Sequence, residues 1–218
     1  MLVVINQFDY PFQDPRLHEV WVFACMAISF LGPAIRAMSI GFAPQGTSGR
    51  NTKCQVADEL NTSGMYSLVR HPLHVGNFMI WLGISMFFMS WWLSLILVLS
   101  FWIYYERIML AEEEFLRRKF GDRYLQWAEK TPAFLPKFRR WERPTLAFSL
   151  RNILRREYSG VFAIVVCFFA LGVGTHATVH GSPDLAPHWM VIFLLGLTVF
   201  LTLRTLKRKT SWLNVQGR

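Results

Sequence analysis

The chain has little of what marks several common classes of protein. It has only three cysteines, Cys25, Cys54 and Cys167, which are far apart and form no CxxC pair. Neither a disulfide framework nor a cysteine zinc site is therefore indicated. Residues 1–17 lack a basic start and a small-residue cleavage site, so we expect no signal peptide there. Charge is almost absent from residues 75–105, which excludes a solvated surface over that stretch.

What the chain does have is apolar residues. Of its 218 residues, 53% are hydrophobic, and the mean hydropathy is +0.28, which is too apolar for an ordinary soluble domain. The formal net charge is +9, but the basic residues flank apolar segments. That distribution indicates membrane topology rather than a nucleic-acid partner. We therefore expect an integral membrane protein that binds no nucleic acid.

The apolar segments predict an all-α, polytopic membrane helix bundle in a single domain, residues 1–218. Residues 75–105 are too long for one crossing, which needs about 20 residues, so we expect two shortened helices in a re-entrant-like hairpin with a turn near Ser90. About five membrane helices follow from this. They are expected at 20–42, in the two arms of 75–105, at 158–179 and at 189–206.

The charged residues orient these helices. Residues 106–157 are strongly charged, and we expect a cytosolic amphipathic helix that runs to about Phe120, ends at Gly121 and is followed by a second short helix. The basic residues place this region and the C-terminus inside, and residues 180–187 and the N-terminus outside. The polar start of the hairpin then shares the cytosolic side with residues 106–157.

The start of the hairpin contains a polar cluster. Arg70 and His71 precede Pro72, which suits the first turn of a helix, and His74 follows one turn later. Charged and titratable groups at a membrane boundary cost energy to desolvate, so they usually mark function. Backbone N–H groups at such a helix start favour an anion or a carboxylate.

An acidic pair, Glu112 and Glu113, lies about two turns beyond the hairpin. The simplest interpretation is a solvated helix surface with pairs such as Glu113 with Arg117. Its expected position beside His71 favours a shared site instead. His71, His74 and the two glutamates match no familiar ligand spacing, so we expect no metal.

The combination of these motifs resembles the isoprenylcysteine carboxyl methyltransferase and phospholipid methyltransferase superfamily of integral membrane enzymes. The resemblance covers about residues 60–138. It rests on Gly-Met-Tyr-Ser-Leu-Val-Arg-His-Pro-Leu-His-Val-Gly at 64–76, Glu-Glu-Glu-Phe-Leu at 112–116, Phe-Gly-Asp-Arg-Tyr at 120–124, Pro132 and Leu-Pro at 135–136.

The resemblance implies S-adenosylmethionine as the methyl donor, bound by a core at residues 60–138, and a lipid or lipidated acceptor with a carboxylate, phosphate or amine. The implied cofactor-binding residues are Tyr66, Ser67, Leu68, Val69, His71, His74, Asn77, Met79, Ile80, Trp81, Leu82, Glu112 and Glu113. An arginine would orient the acceptor. Arg107 is displaced by about one residue from the family's position, and Arg70 is the competing candidate.

The chain departs from the family pattern at two positions. His74 stands where the family usually has tyrosine, and Trp127 stands where a second aromatic residue, often tyrosine, is common. The C-terminal hairpin, 158–206, extends beyond the shared region and could shape a lipid entrance, mediate oligomerisation or simply pack in the bundle. Two other functions stay open: a membrane NADPH-dependent reductase of the sterol-reductase type, and a non-catalytic membrane scaffold.

Overall fold

A computed structural model describes residues 15–44, 57–183 and 186–215 of the chain. Within these residues the regular secondary structure is entirely helical. The helices are α1 Pro15–Gly41, α2 Met65–Leu68, α3 Pro72–Met86, α4 Trp91–Phe120, α5 Asp122–Lys130, α6 Leu150–His180 and α7 Pro187–Lys209, with a 3₁₀ turn at Phe138–Arg140.

Four of the described helices, α1, α4, α6 and α7, are long and apolar enough to cross a membrane. The predicted all-α, polytopic membrane fold is thereby confirmed. The fifth predicted helix, α3, has 15 residues and extends about 22 Å, which is shorter than a hydrocarbon core of about 30 Å. It forms the short first arm of the hairpin.

The hairpin turns between α3 and α4, where the sequence predicted it. Phe87 and Phe88 are buried in the turn, Met89 has a φ of 52°, and Trp91 begins α4 with 76% of its surface exposed. The buried rings anchor the turn to the core. That core contains Val22 of α1, Ile84 of α3 and Phe168 of α6 among its residues.

Small residues bring α1 and α3 into close contact. A Cβ added at Gly76 would lie 2.8 Å from the Gly32 carbonyl oxygen, and one added at Gly83 would lie 2.7 Å from the Ser29 backbone nitrogen. The Ser29 hydroxyl donates a hydrogen bond to the Ile80 carbonyl at 3.0 Å. Close backbone approach of this kind replaces the hydrophobic driving force that helices lack within lipid.

The charged end of α4 is followed at once by a second helix, α5. Helix α4 continues for 30 residues without interruption and ends at Gly121, whose φ is 54°. A positive φ suits glycine, which lacks a Cβ, and it allows α5 to start at once in a new direction. Gly121 thus ends the helix as predicted.

Long-range hydrogen bonds join several helix ends at one end of the bundle, the end at which the hairpin starts. The Ser149 backbone nitrogen, just before α6, donates to the Gly41 carbonyl at 2.9 Å. Lys207, near the end of α7, donates to the Arg155 carbonyl at 3.0 Å. The basic end of α7 therefore lies beside the start of α6 and the end of α1.

Candidate functional site

The segment before α3 is held by the chain that follows α5. The Arg70 backbone nitrogen donates to the Pro132 carbonyl at 2.8 Å, and the His71 nitrogen donates to the Ala133 carbonyl at 3.2 Å. The Lys137 nitrogen donates back to the Leu68 carbonyl at 3.0 Å. These bonds fix His71 at the N-cap of α3. The sequence motif at Pro132 gave no indication of this role.

The residues of α2 are held in place by neighbouring chain. The Ser67 hydroxyl donates to the Gly64 carbonyl at 2.7 Å and accepts from the Glu142 nitrogen at 3.0 Å. The Trp127 indole donates to the Tyr66 carbonyl at 3.2 Å. A cavity of about 400 Å³ is bordered by Ser67, Trp127 and Glu142. Leu68 and Val69 are buried at this point.

The two predicted motifs meet in a cluster of imidazoles and carboxylates. His71 Nε2 lies 2.9 Å from Glu113 Oε1, and His71 Nδ1 lies 3.2 Å from Glu112 Oε2. His74 Nε2 lies 3.1 Å from the same Glu112 oxygen. The His71 side chain is 5% exposed, whereas that of Glu112 is 38% exposed. The cluster is therefore buried on the α3 side and open on the α4 side.

The positive groups of the cluster lie beside its two carboxylates. Burial disfavours the imidazolium form of His71, but hydrogen bonds and charges from Glu112 and Glu113 outweigh burial and raise its pKa. Arg70 Nε lies 3.3 Å from Glu113 Oε1. Burial and the Glu113 charge raise the pKa of Tyr124 to about 12, so its phenol stays neutral beside Arg70 and Glu113.

Asn77 connects this cluster to a buried ion pair in the bundle. Arg36 of α1 donates through Nε and Nη2 to the two Glu157 carboxylate oxygens at 2.8 Å and 2.7 Å. Its Nη1 donates to Asn77 Oδ1 at 2.8 Å, and Asn77 Nδ2 donates to the Tyr105 hydroxyl at 3.1 Å. The Tyr105 ring packs on the His74 ring. Sequence reasoning missed this network, although an arginine inside an apolar segment could have signalled it.

The other predicted site residues lie in different surroundings. Trp81 lies two turns after His74 on the same face of α3, and 48% of its surface is exposed. Ile80 packs against Gly32 of α1, on another face, while Met79 and Leu82 are half-buried. Arg107 is exposed on α4, outside the contacts that join the imidazoles and carboxylates.

Two features of the cluster leave room for a ligand. His74 Nδ1 is buried and has no hydrogen-bond partner among the described residues. One donor atom from each of His71, His74 and Glu112 lies within 4.8 Å of the others, a separation at which the three could hold a metal ion. The donor set thus offers carboxylates, imidazoles and one unused ring nitrogen.

Comparisons with known proteins match the part of the chain that carries this cluster. Residues 22–123 match the phospholipid methyltransferase family. Protein-S-isoprenylcysteine O-methyltransferase of Schizosaccharomyces pombe is 30% identical over 135 residues, which are 61% of this chain and 57% of that protein. A nickel-cobalt-cadmium resistance protein of Alcaligenes xylosoxydans xylosoxydans is 32% identical over 120 residues, 55% of this chain and 54% of that protein.

A third relative is the cobalt-zinc-cadmium resistance protein of Cupriavidus metallidurans, which is 31% identical over 127 residues, 58% of this chain and 56% of that protein. The chain therefore spans a little over half the length of these curated relatives. No solved structure matches.

The fold and the site together define a polytopic membrane protein with a polar cluster at one end of its helix bundle. The matches narrow the class further. The phospholipid methyltransferase match and the isoprenylcysteine O-methyltransferase relatives support the superfamily that the motifs of this chain resemble.

Proposed function

We propose that this protein is a membrane methyltransferase that transfers a methyl group from S-adenosylmethionine to a lipid or lipidated acceptor. The observation that carries this proposal is the meeting of His71 and His74 with Glu112 and Glu113 at 2.9–3.2 Å. The resemblance to this superfamily implies that these two motifs form the donor site. The family match and the methyltransferase relatives support the same activity.

The donor set fits S-adenosylmethionine chemically. Its amino acid part carries an ammonium and a carboxylate, and its ribose carries two hydroxyls. The exposed part of Glu112 could accept hydrogen bonds from an ammonium or hydroxyl, and the unused His74 Nδ1 supplies one more polar atom. Tyr66, Ser67, Leu68 and Val69 are the residues proposed to line the rest of the pocket.

The protein's own contribution is to position the reactants and exclude water. Bound S-adenosylmethionine supplies an electrophilic sulfonium methyl group, so catalysis needs alignment more than a strong base. His71 is fixed by backbone bonds to Pro132 and Ala133, and Glu113 orients its ring. Phe134 lies against Phe78 and Phe101 and adds apolar surface to this side of the hairpin.

The acceptor would be oriented by a cation if it is an anionic lipid. Arg70 already contacts Glu113, with 20% of its side chain exposed, whereas Arg107 is exposed on α4. We expect Arg70→Gln to raise the KM for the acceptor. Arg107→Gln is the matched comparison. A larger rise in the acceptor KM in Arg107→Gln than in Arg70→Gln would show that Arg107 orients the acceptor instead.

We further propose that the site faces the cytosol, with the N-terminus outside and the C-terminus inside. The basic residues that end α7 support this orientation, because such residues favour the cytosolic side. Helix α7 has an apolar window with 0% of its residues buried. It would therefore face lipid or a second protein.

The donor site can be tested by direct binding of labelled S-adenosylmethionine to the purified full chain in detergent. A hydrogen bond to a charged group contributes about 1.5–3 kcal/mol, so Glu112→Gln should weaken binding roughly 10- to 100-fold. Glu114→Gln is the matched control, since the exposed Glu114 pairs with the exposed Arg118 on the surface. It should leave affinity unchanged.

Two further measurements separate the alternatives. Binding of NADPH without S-adenosylmethionine would favour the reductase, and binding of neither would favour a scaffold. Mass spectrometry of lipids from cells with and without the protein should reveal a species heavier by one methylene group. Equal affinity in Glu112→Gln and the unaltered protein would contradict the proposed site.

A further inference from the structure

Besides the donor site, we infer that His71, His74 and Glu112 form a binding site for a divalent transition-metal ion with the chemistry of Zn²⁺. A metal bound there would share Glu112 and His74 with S-adenosylmethionine and would therefore compete with it. The inference concerns a separate ligand and does not depend on the proposed methyltransferase activity.

The donor atoms are already close to coordinating distances. His71 Nδ1 and His74 Nε2 lie 3.2 Å and 3.1 Å from Glu112 Oε2. Ligands about 2.0–2.2 Å from a tetrahedral Zn²⁺ lie roughly 3.4 Å apart. An ion between these atoms therefore needs a small outward movement of the Glu112 carboxylate and a turn of the His74 ring.

The surroundings of His71 resemble those of a metal ligand. When its Nε2–H donates to Glu113 Oε1 at 2.9 Å, the Nδ1 lone pair is left for the ion. A carboxylate behind a histidine in this way fixes the tautomer and increases ligand basicity. Arg70, 3.3 Å from Glu113, keeps that carboxylate in place.

The local architecture also suits an ion. Metal sites within bundles are built from ligands three residues apart on one helix together with a glutamate from another helix. His71, at the N-cap of α3, and His74 have this spacing, and both face Glu112 of α4. The His71 and His74 rings lie 5.5 Å apart and 21° from parallel, so the His74 ring must turn to direct its lone pair at the ion. The exposed part of Glu112 provides an entry path and an open coordination position.

The position that creates this site is the one where the chain departs from its family. The superfamily usually has tyrosine where this chain has His74. His74→Tyr therefore removes one ligand while introducing a residue that the fold is expected to accommodate. It separates metal binding from the general integrity of the bundle.

The test is equilibrium dialysis of the full chain, purified in detergent without a histidine tag, against Zn²⁺. Co²⁺ serves as a spectroscopic probe, and Mg²⁺, which prefers oxygen ligands, serves as a negative control. We expect one tight Zn²⁺ site whose affinity falls more than about tenfold in His74→Tyr and in Glu112→Gln, since even a supporting residue costs about 10- to 100-fold.

A second histidine pair provides the matched control. The His176 and His180 rings lie 4.4 Å apart on α6, so His180→Gln removes a competing surface site and should leave the tight site unchanged. Tight binding that survives both His74→Tyr and Glu112→Gln, or that disappears in His180→Gln, would overturn the inference. Circular dichroism and gel filtration of each variant establish that it is folded.

Competition relates this site to the proposed function. If both are correct, saturating S-adenosylmethionine should weaken Zn²⁺ binding. A protein that binds Zn²⁺ in the expected pattern but never binds S-adenosylmethionine would refute the methyltransferase proposal and leave the metal site standing. The reverse result would refute the metal site alone.

Discussion

Glu157→Gln would remove the counter-ion of a buried arginine and so test what holds the bundle around the site. The Arg36 and Glu157 side chains are 9% and 6% exposed and meet at 2.7 Å. The arginine donates to both carboxylate oxygens and also to Asn77. This pair joins α1 to α6 and, through Asn77, to the helix that carries His74.

The expected cost follows from this burial. Breaking one side of a buried pair costs about 3–5 kcal/mol, because the remaining charge stays desolvated. At about 2–4 °C per kcal/mol for a chain of this size, Glu157→Gln should lower Tm by roughly 6–20 °C. Replacing both residues, as in Arg36→Met with Glu157→Met, should recover most of that loss, since no uncompensated charge remains.

The assay is thermal unfolding of detergent-purified protein, followed by tryptophan fluorescence. The matched control is the surface pair of Glu114 and Arg118, whose side chains are 49% and 78% exposed. Breaking it should change stability by less than about 1 kcal/mol. The reasoning fails if Glu157→Gln is as stable as the parent, or if the double variant loses the full sum of the two single losses.

Three other predictions test the packing, the support of α2 and the topology. Gly83→Ala should destabilise the bundle by about 1–3 kcal/mol, because its Cβ would meet backbone atoms of α1. Gly160→Ala is the control: the atom nearest to its added Cβ lies 3.8 Å away, so it should be neutral or stabilising in the same unfolding assay. Trp127→Phe removes the bond to the Tyr66 carbonyl and should cost about 0.5–1.5 kcal/mol, with weaker S-adenosylmethionine binding. In a cysteine-free background, Ser182→Cys should react with an impermeant maleimide from outside and Lys137→Cys only from inside; the opposite pattern would reverse the proposed orientation.

Much of the fold could be predicted from the sequence because lipid imposes a simple rule on the chain. Every backbone polar group in a membrane must be satisfied internally, so long apolar segments become helices. The length of residues 75–105 predicted a hairpin, and Gly121 predicted the end of α4. Helix α1 nevertheless starts at Pro15, five residues earlier than predicted, since helix ends depend on local contacts that hydropathy does not record.

The site was predicted in part. Topology and motif spacing indicated that His71 and the acidic pair would meet, and they lie 2.9–3.2 Å apart. The bonds from Pro132 and Ala133 were not predicted, because backbone carbonyls carry no residue-specific signal. Ile80 was predicted to line the cofactor site, and the structure places it against Gly32; its role in binding stays a prediction.

The sequence by itself determined the class of protein, the helical hairpin and the residue types available at its polar end, since these follow from hydropathy, charge and local motifs. Only the tertiary structure decided which of those residues contact one another. It paired Arg36 with Glu157 across 121 residues and set His74 and His71 against one Glu112 oxygen. Such contacts depend on how helices distant in sequence rotate and approach, and close packing at Gly32, Gly76 and Gly83 fixes that arrangement.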